Sequence, residues 1–234
     1  MKKKVIGIVP KGILFDPEKL DSYTLINNYA KRLLEAGCVA VCLAPVDGRV
    51  TREQLDMCDG FLAQGGTQMW PYHYQVLEHC CATGKKYLGT CLGMQLIHRY
   101  FALQKVAKEM GLEGPMAEIV MDLYYNKKIG HDLLHQVEGH WLKDYDRLQG
   151  TDGAKHDVNV AAGTMLHRLV GKDRIRAASF HHWRVENPVE ELIVNARADD
   201  GTIEGLEYGE NILGIQFHPE IDDMLPEIYK FLTE

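Results

Sequence analysis

The chain has 234 residues, 46% of them hydrophobic, and carries a formal net charge of -7. It has apolar residues enough for a full core, and its acidic balance excludes nucleic acid as the natural partner, because phosphate binding relies on clustered Lys and Arg. No segment is long and apolar enough to cross a membrane, and the Lys2-Lys3-Lys4 start runs into an apolar stretch that ends at Pro10, too short for a secretory signal.

Apolar runs alternate with amphipathic stretches through the first half. Val5–Val9 reads as a strand, residues 23–35 as a helix with Gly37 just past its end, and residues 39–43 as the next strand. Thr51-Arg52-Glu53-Gln54 has the spacing of a capping box and opens a short helix. Gly60–Ala63 is then a strand running into Gly65-Gly66, residues 76–82 a helix, and residues 86–88 a further strand. This alternation predicts an α/β fold with a mostly parallel central sheet flanked by helices.

From residue 101 to 155 the pattern is irregular and partly helical. Antiparallel signals follow at 156–160, 176–180 and 193–197, with an Asp200-Gly201 turn into Ile203–Tyr208, a last strand at 212–217 and a closing helix at 225–232. They add a smaller antiparallel portion to the sheet. With no repeat, low-complexity tract or linker, residues 1–234 read as one domain, and 101–155 as an atypical segment within it.

The six cysteines form no Cys-x-x-Cys pair and no disulfide framework, so reduced thiols in a cytoplasm fit best. Histidine is plentiful. His131 and His135 have the spacing of two imidazoles one helical turn apart, but with Asp132 where zinc proteases place their Glu base, and the reading preferred is a solvated helix face. No metal site is expected. His156 reads as a structural residue at a strand start, and His181 and His182 as positioning groups at a pocket edge rather than bases.

Two distant stretches fit one reaction. Gly89-Thr90-Cys91-Leu92-Gly93 places a cysteine between glycines where an apolar strand gives way to an apolar helix, the layout of a nucleophile elbow with Cys in place of Ser. The start of the new helix favours thiolate. Gln216-Phe217-His218-Pro219-Glu220 supplies an imidazole and a carboxylate two residues apart, on one face of extended chain. Cys91, His218 and Glu220 are thus candidates for nucleophile, base and orienting group. Gly65-Gly66 lies beyond a strand one βα unit before the elbow, where ligands of such sheets bind.

These residues resemble the class I glutamine amidotransferase superfamily, and within it the γ-glutamyl-γ-aminobutyrate hydrolase family. The landmarks are Asn28-Tyr29 with Glu35-Ala36-Gly37, Gln64-Gly65-Gly66, the elbow, Ser179-Phe180-His181-His182, Asp200-Gly201 with Ile203-Glu204, and the stretch from Gly214 to Glu220. The resemblance implies a flavodoxin-like sheet, a triad of Cys91, His218 and Glu220, and an oxyanion hole from the Gly66 and Leu92 amides. It also implies a glutamyl pocket of Gly65, Gln95 and the backbone near His182 and Trp183. The chemistry so implied needs no metal or organic cofactor. The chain departs from the hydrolase branch at Leu92, where Arg is common, at Trp183, where Gln is usual, and in lacking the Gly-Gly-x-Leu that follows the elbow helix.

The expected function is cysteine-dependent hydrolysis of a small γ-glutamyl amide through a thioester, releasing glutamate. The alternative is a glutaminase subunit passing ammonia to a separate synthase, and a third reading is a silent sensor of a glutamyl metabolite. The expected partner is the small γ-glutamyl substrate, with a homodimer left open and a synthase only under the alternative.

Overall fold

The computed structural model describes residues 2–16, 20–141, 155–221 and 225–234. In chain order the first half runs β1 (Val5–Val9), β2 (Lys11–Asp16), β3 (Leu20–Thr24), α1 (Asn27–Glu35), β4 (Val39–Cys42), α2 (Arg52–Asp56), β5 (Gly60–Ala63), α3 (Pro71–Thr83), β6 (Lys86–Thr90) and α4 (Leu92–Glu109). Next come α5 (Met116–Met121), a π-helical turn at Asp122–Asn126 and β7 (Leu134–Gln136). The chain closes with β8 (Lys155–Val160), α6 (Met165–Val170), β9 (Arg174–Ala178), β10 (Trp183–Val185), β11 (Ile193–Ala198), β12 (Ile203–Tyr208), β13 (Ile212–Ile215) and α7 (Glu227–Lys230).

One nine-stranded sheet carries the architecture, in the order β4-β1-β5-β6-β13-β12-β11-β8-β9. Its β4-to-β13 half is parallel and the remainder antiparallel, as the two halves of the sequence predict. The central strands β5 and β13 are buried at every position, which is why they read as unbroken apolar runs rather than alternating ones. One face of the sheet is covered by α3, α4 and α5 through Tyr72, Val76, Met94, Ile97 and Val120. The other is covered by α1, α6 and α7 through Tyr29, Leu33, Leu166 and Ile228.

Three expectations need correction. Residues 23–35 are not one helix: β3 occupies the start, pairing antiparallel with β2, and α1 begins at Asn27. The cause is tertiary. Gln64 Nε2 donates to the Thr24 carbonyl at 2.8 Å and its Oε1 accepts from the Ile26 N–H at 2.9 Å, holding the chain extended just before the helix. His131 and His135 do not share a helix either. His135 lies on β7, paired antiparallel with β10, while His131 stacks on Tyr124 at 4.5 Å. The closing helix is also shorter than residues 225–232, because most of its turns close by i to i+3 bonds such as Ile228 N–H to the Leu225 carbonyl.

Candidate active site

The elbow forms because two glycines let a strand and a helix touch. A Cβ on Gly89 would stand 2.5 Å from the Gly93 carbonyl, and one on Gly93 would stand 2.6 Å from the Ala63 carbonyl oxygen. Between them Cys91 takes φ 52° and ψ -104°, a conformation costly for any residue with a side chain. Its N–H is held by the Ile215 carbonyl at 2.8 Å. The chain turns there from β6 directly into α4, leaving the Leu92 N–H in the first helical turn with no carbonyl of its own helix to bond.

His218 follows the end of β13, which pairs with β6 in register Ile215↔Thr90. Its N–H is fixed by the Ala178 carbonyl at 2.9 Å, and its Nδ1 lies 2.6 Å from Glu220 Oε1, both side chains being buried. The other ring nitrogen, Nε2, is buried without a well-formed hydrogen bond among the described residues. The Cys91 thiol is nonetheless near enough to act on the ring. Burial works against a charged imidazole here, but the Glu220 carboxylate and the Cys91 sulfur outweigh it and raise the pKa to about 10.

Gly65 and Gly66 lie against the same groups. A Cβ on Gly65 would meet His218 Cε1 at 3.0 Å and Cys91 Cβ at 3.4 Å, and one on Gly66 would meet Leu92 Cδ2 at 3.0 Å. The two backbone positions expected to form an oxyanion hole are therefore neighbours in space. The Gly65 N–H donates to the buried Tyr29 hydroxyl at 3.1 Å, and that hydroxyl also hydrogen-bonds Glu220. Lys11 is half-buried beside Gly66; burial lowers its pKa, against the opposing pull of Cys91 and Glu220.

Above the thiol opens a cavity of about 380 Å³, whose lining includes Gly66, Cys91, Leu92, Gln95, His182 and Trp183. Gln95 is buried, and its Nε2 donates to the Trp183 carbonyl and to Gln216 Oε1, each at 3.1 Å. His182 stacks on Trp141 at 4.2 Å, consistent with a wall rather than a base. Among the candidate site residues, His218, Glu220 and Gly65 are not on the lining but behind it, with Gly65 packed between His218 and Cys91.

Sequence reasoning missed part of this cavity. Tyr124, Tyr125, His131, Leu134 and Trp141, all from the irregular middle segment, form one side. Arg99, on α4 two turns after Cys91, is buried, lies over the Tyr124 ring at 4.1 Å and donates to Met69 Sδ at 3.1 Å. The i, i+4, i+8 spacing of Cys91, Gln95 and Arg99 on an otherwise apolar helix was the available signal. Tyr72 and Tyr74, which follow Gly65-Gly66 in the chain, are core residues.

The Peptidase C26 family model matches residues 123–220, a span that ends on Glu220. A glutamine amidotransferase-like protein of Rickettsia prowazekii is 22% identical over 85% of this chain and 83% of its own length. The chain is thus similar to class I glutamine amidotransferase-like proteins along most of its length. Imidazole glycerol phosphate synthase subunit HisH of Bacillus cytotoxicus is 29% identical over 62% of this chain, which spans 57% of that protein. The glutaminase domain of Trypanosoma brucei CTPS, solved with bound acivicin, shares the fold, with a TM-score of 0.62 at 16% identity, covering 99% of this chain and 93% of that one. The flavodoxin-like architecture expected of this superfamily is the one found.

Proposed function

We propose that this amidotransferase-type domain is a cysteine-dependent amidase that cleaves the γ-glutamyl amide bond of a small γ-glutamyl amine or peptide and releases glutamate. The observation that carries the reading is the buried His218–Glu220 pair with its remaining imidazole nitrogen beside the thiol of Cys91, the residue of the three that lines the cavity.

In this mechanism the Cys91 sulfur attacks the γ-carbonyl as thiolate, the reactive form of cysteine. The oxyanion that develops is held by the Gly66 and Leu92 amides, each such donor contributing about 3 kcal/mol to transition-state stabilisation. His218 enters charged, because its pKa of about 10 keeps the ring protonated at neutral pH. It gives that proton to the departing amine, which is too basic to leave as an anion. The ring, now neutral, takes a proton from water, and the resulting hydroxide cleaves the γ-glutamyl thioester to glutamate and free thiolate. Glu220 holds the ring orientation and stabilises its cation. Gly65, Gln95 and the backbone at His182 and Trp183 receive the glutamyl group, and the aromatic side of the cavity receives the amine.

The test is glutamate release from glutamine and a panel of γ-glutamyl amides by wild type, Cys91→Ala and Cys91→Ser, with a mass-spectrometric search for the thioester. Unchanged release by Cys91→Ala overturns the assignment.

A second reading is supported by the similarity to a synthase subunit and by Leu92, where the resemblance to the hydrolase branch breaks. In it the same chemistry acts on glutamine and passes ammonia to a separate synthase. Glutamine turnover that begins only when a partner protein is added would favour it; turnover of γ-glutamyl amines by the isolated chain favours the hydrolase.

A further inference from the structure

Behind the pocket wall, four side chains from four different segments converge: His140, His156 on β8, His181 and Glu204 on β12. Glu204 is fully buried and His140 and His181 nearly so, while His156 keeps 22% of its side-chain surface exposed. None of them enters the mechanism above.

The tautomers can be worked out from the outer partners. His181 Nδ1 lies 3.0 Å from the Trp183 carbonyl, which only accepts, so that nitrogen carries the hydrogen. His140 Nε2 lies 3.0 Å from Asp200 Oδ2, a carboxylate oxygen, so it too carries the hydrogen. In the neutral rings this leaves His140 Nδ1 and His181 Nε2 as lone pairs. They are 3.1 Å from each other and 3.1 and 3.2 Å from Glu204 Oε1, which is itself an acceptor. Lone pairs therefore face lone pairs.

The other half of the carboxylate adds a second, independent sign. Glu204 Oε2 and His156 Nε2 are buried and face one another across 3.7 Å, too far for a well-formed hydrogen bond, and neither has a closer partner among the described residues. One extra proton on His140 or His181 relieves one of the acceptor contacts and leaves this pair unsatisfied. Two extra protons set two imidazolium N–H groups face to face at 3.1 Å.

We propose that His140 Nδ1, His156 Nε2 and Glu204, with His181 Nε2 completing the set, form a binding site for a divalent transition metal of the nitrogen- and oxygen-preferring class, zinc foremost. Ligand atoms of His140, His156 and Glu204 all lie within 4.8 Å of one another. Tetrahedral zinc, with bonds of about 2.0–2.1 Å, spaces its ligand atoms roughly 3.3 Å apart, and the contacts of 3.1, 3.1, 3.2 and 3.7 Å bracket that spacing. A cation among these groups accepts the inward lone pairs of His140, His156 and Glu204 once their spread of up to 4.8 Å closes onto it, with His181 beside them, and offsets the buried carboxylate charge. The outward N–H bonds from His140 to Asp200 and from His181 to the Trp183 carbonyl hold the two rings in place, as the outer hydrogen bond of a metal-bound imidazole does.

Bound there, the ion is a clamp rather than a reactant. It joins the segment at His140, β8, the turn at His181 and β12, and its His181 ligand braces the Trp183 carbonyl that also receives Gln95. The proposal stands independently of the amidase reading.

The experiment uses untagged full-length protein stripped with a chelator and titrated with Co2+, followed by competition with Zn2+. The expected result is a saturable visible d–d band at one equivalent, displaced by one equivalent of Zn2+, equally present in Cys91→Ala, and weakened at least a hundred-fold in His156→Gln. X-ray absorption at the zinc edge of the unmutated protein should give a shell of nitrogen and oxygen with imidazole scattering, a readout that does not depend on any variant folding. No saturable band, a band unaffected by His156→Gln in folded protein, or sulfur in the zinc shell overturns the proposal.

Discussion

His218 Nδ1 sits 2.6 Å from Glu220 Oε1, two residues along the same chain, with both side chains removed from solvent. A bond that short between a buried imidazole and a buried carboxylate is charge-assisted, and it sets both the orientation of the ring and its proton affinity. Glu220→Gln keeps the shape but removes the charge. The expected outcome is a kcat for γ-glutamyl amide cleavage lower by on the order of 10²- to 10⁴-fold with little change in KM, measured by glutamate release.

The same pair makes stability depend on pH. His218 has a folded-state pKa of about 10 against about 6.5 in an unfolded chain. Between these values the folded protein binds more protons than the unfolded one, so the contribution is complete below about 6.5 and is lost as pH rises through about 10. Urea midpoints of wild type should fall relative to those of His218→Gln as pH is raised across this window. A constant difference between the two would contradict the assignment.

Tyr29 joins two parts of the site, accepting from the Gly65 N–H and hydrogen-bonding Glu220. Tyr29→Phe leaves a buried amide donor without its partner, at a cost of about 1–3 kcal/mol. Chemical denaturation should register that loss. The turnover rate should fall as well, because the Gly65-Gly66 loop and Glu220 lose a common anchor.

At the elbow, Gly89→Ala would place a methyl group 2.5 Å from the backbone of Gly93. Backbone cannot yield as a side chain tip can, so the strand and α4 must separate. The expected destabilisation is about 1–3 kcal/mol, read from the denaturation midpoint, with catalysis lost at temperatures where the fold persists.

Much of this was legible because the informative residues obey local rules. The capping box at Thr51 forms as its spacing predicts, and the apolar runs of β1, β5 and β13 become buried strands. The elbow and the His-Pro-Glu stretch could be paired by chemistry alone. What escaped were features decided by contacts far along the chain. The β2–β3 hairpin ends where Gln64, some forty residues later, grips Thr24 and Ile26. The aromatic side of the cavity comes from residues with no periodic pattern, such as Tyr124 and Trp141, placed by packing against α4 and the turn at His182. The His140–Glu204 cluster was invisible for the same reason: its members stand on four separate segments, and neither His156, read as structural, nor His181, read as a pocket-edge group, nor Glu204, read as a family landmark, carries a local sign that they meet.

Because β6 and β13 are adjacent and in register, the Cys91 N–H bonds directly to the Ile215 carbonyl, so the sulfur and the imidazole are spaced by one rung of the sheet ladder rather than by any connecting loop. The parts of the intervening chain that lie off the sheet, such as the segment from α5 to β7, can lengthen or shrink without altering that spacing. Diversity in how such a chain chooses its substrate can accumulate in the intervening stretch while the reacting atoms stay at a fixed pitch.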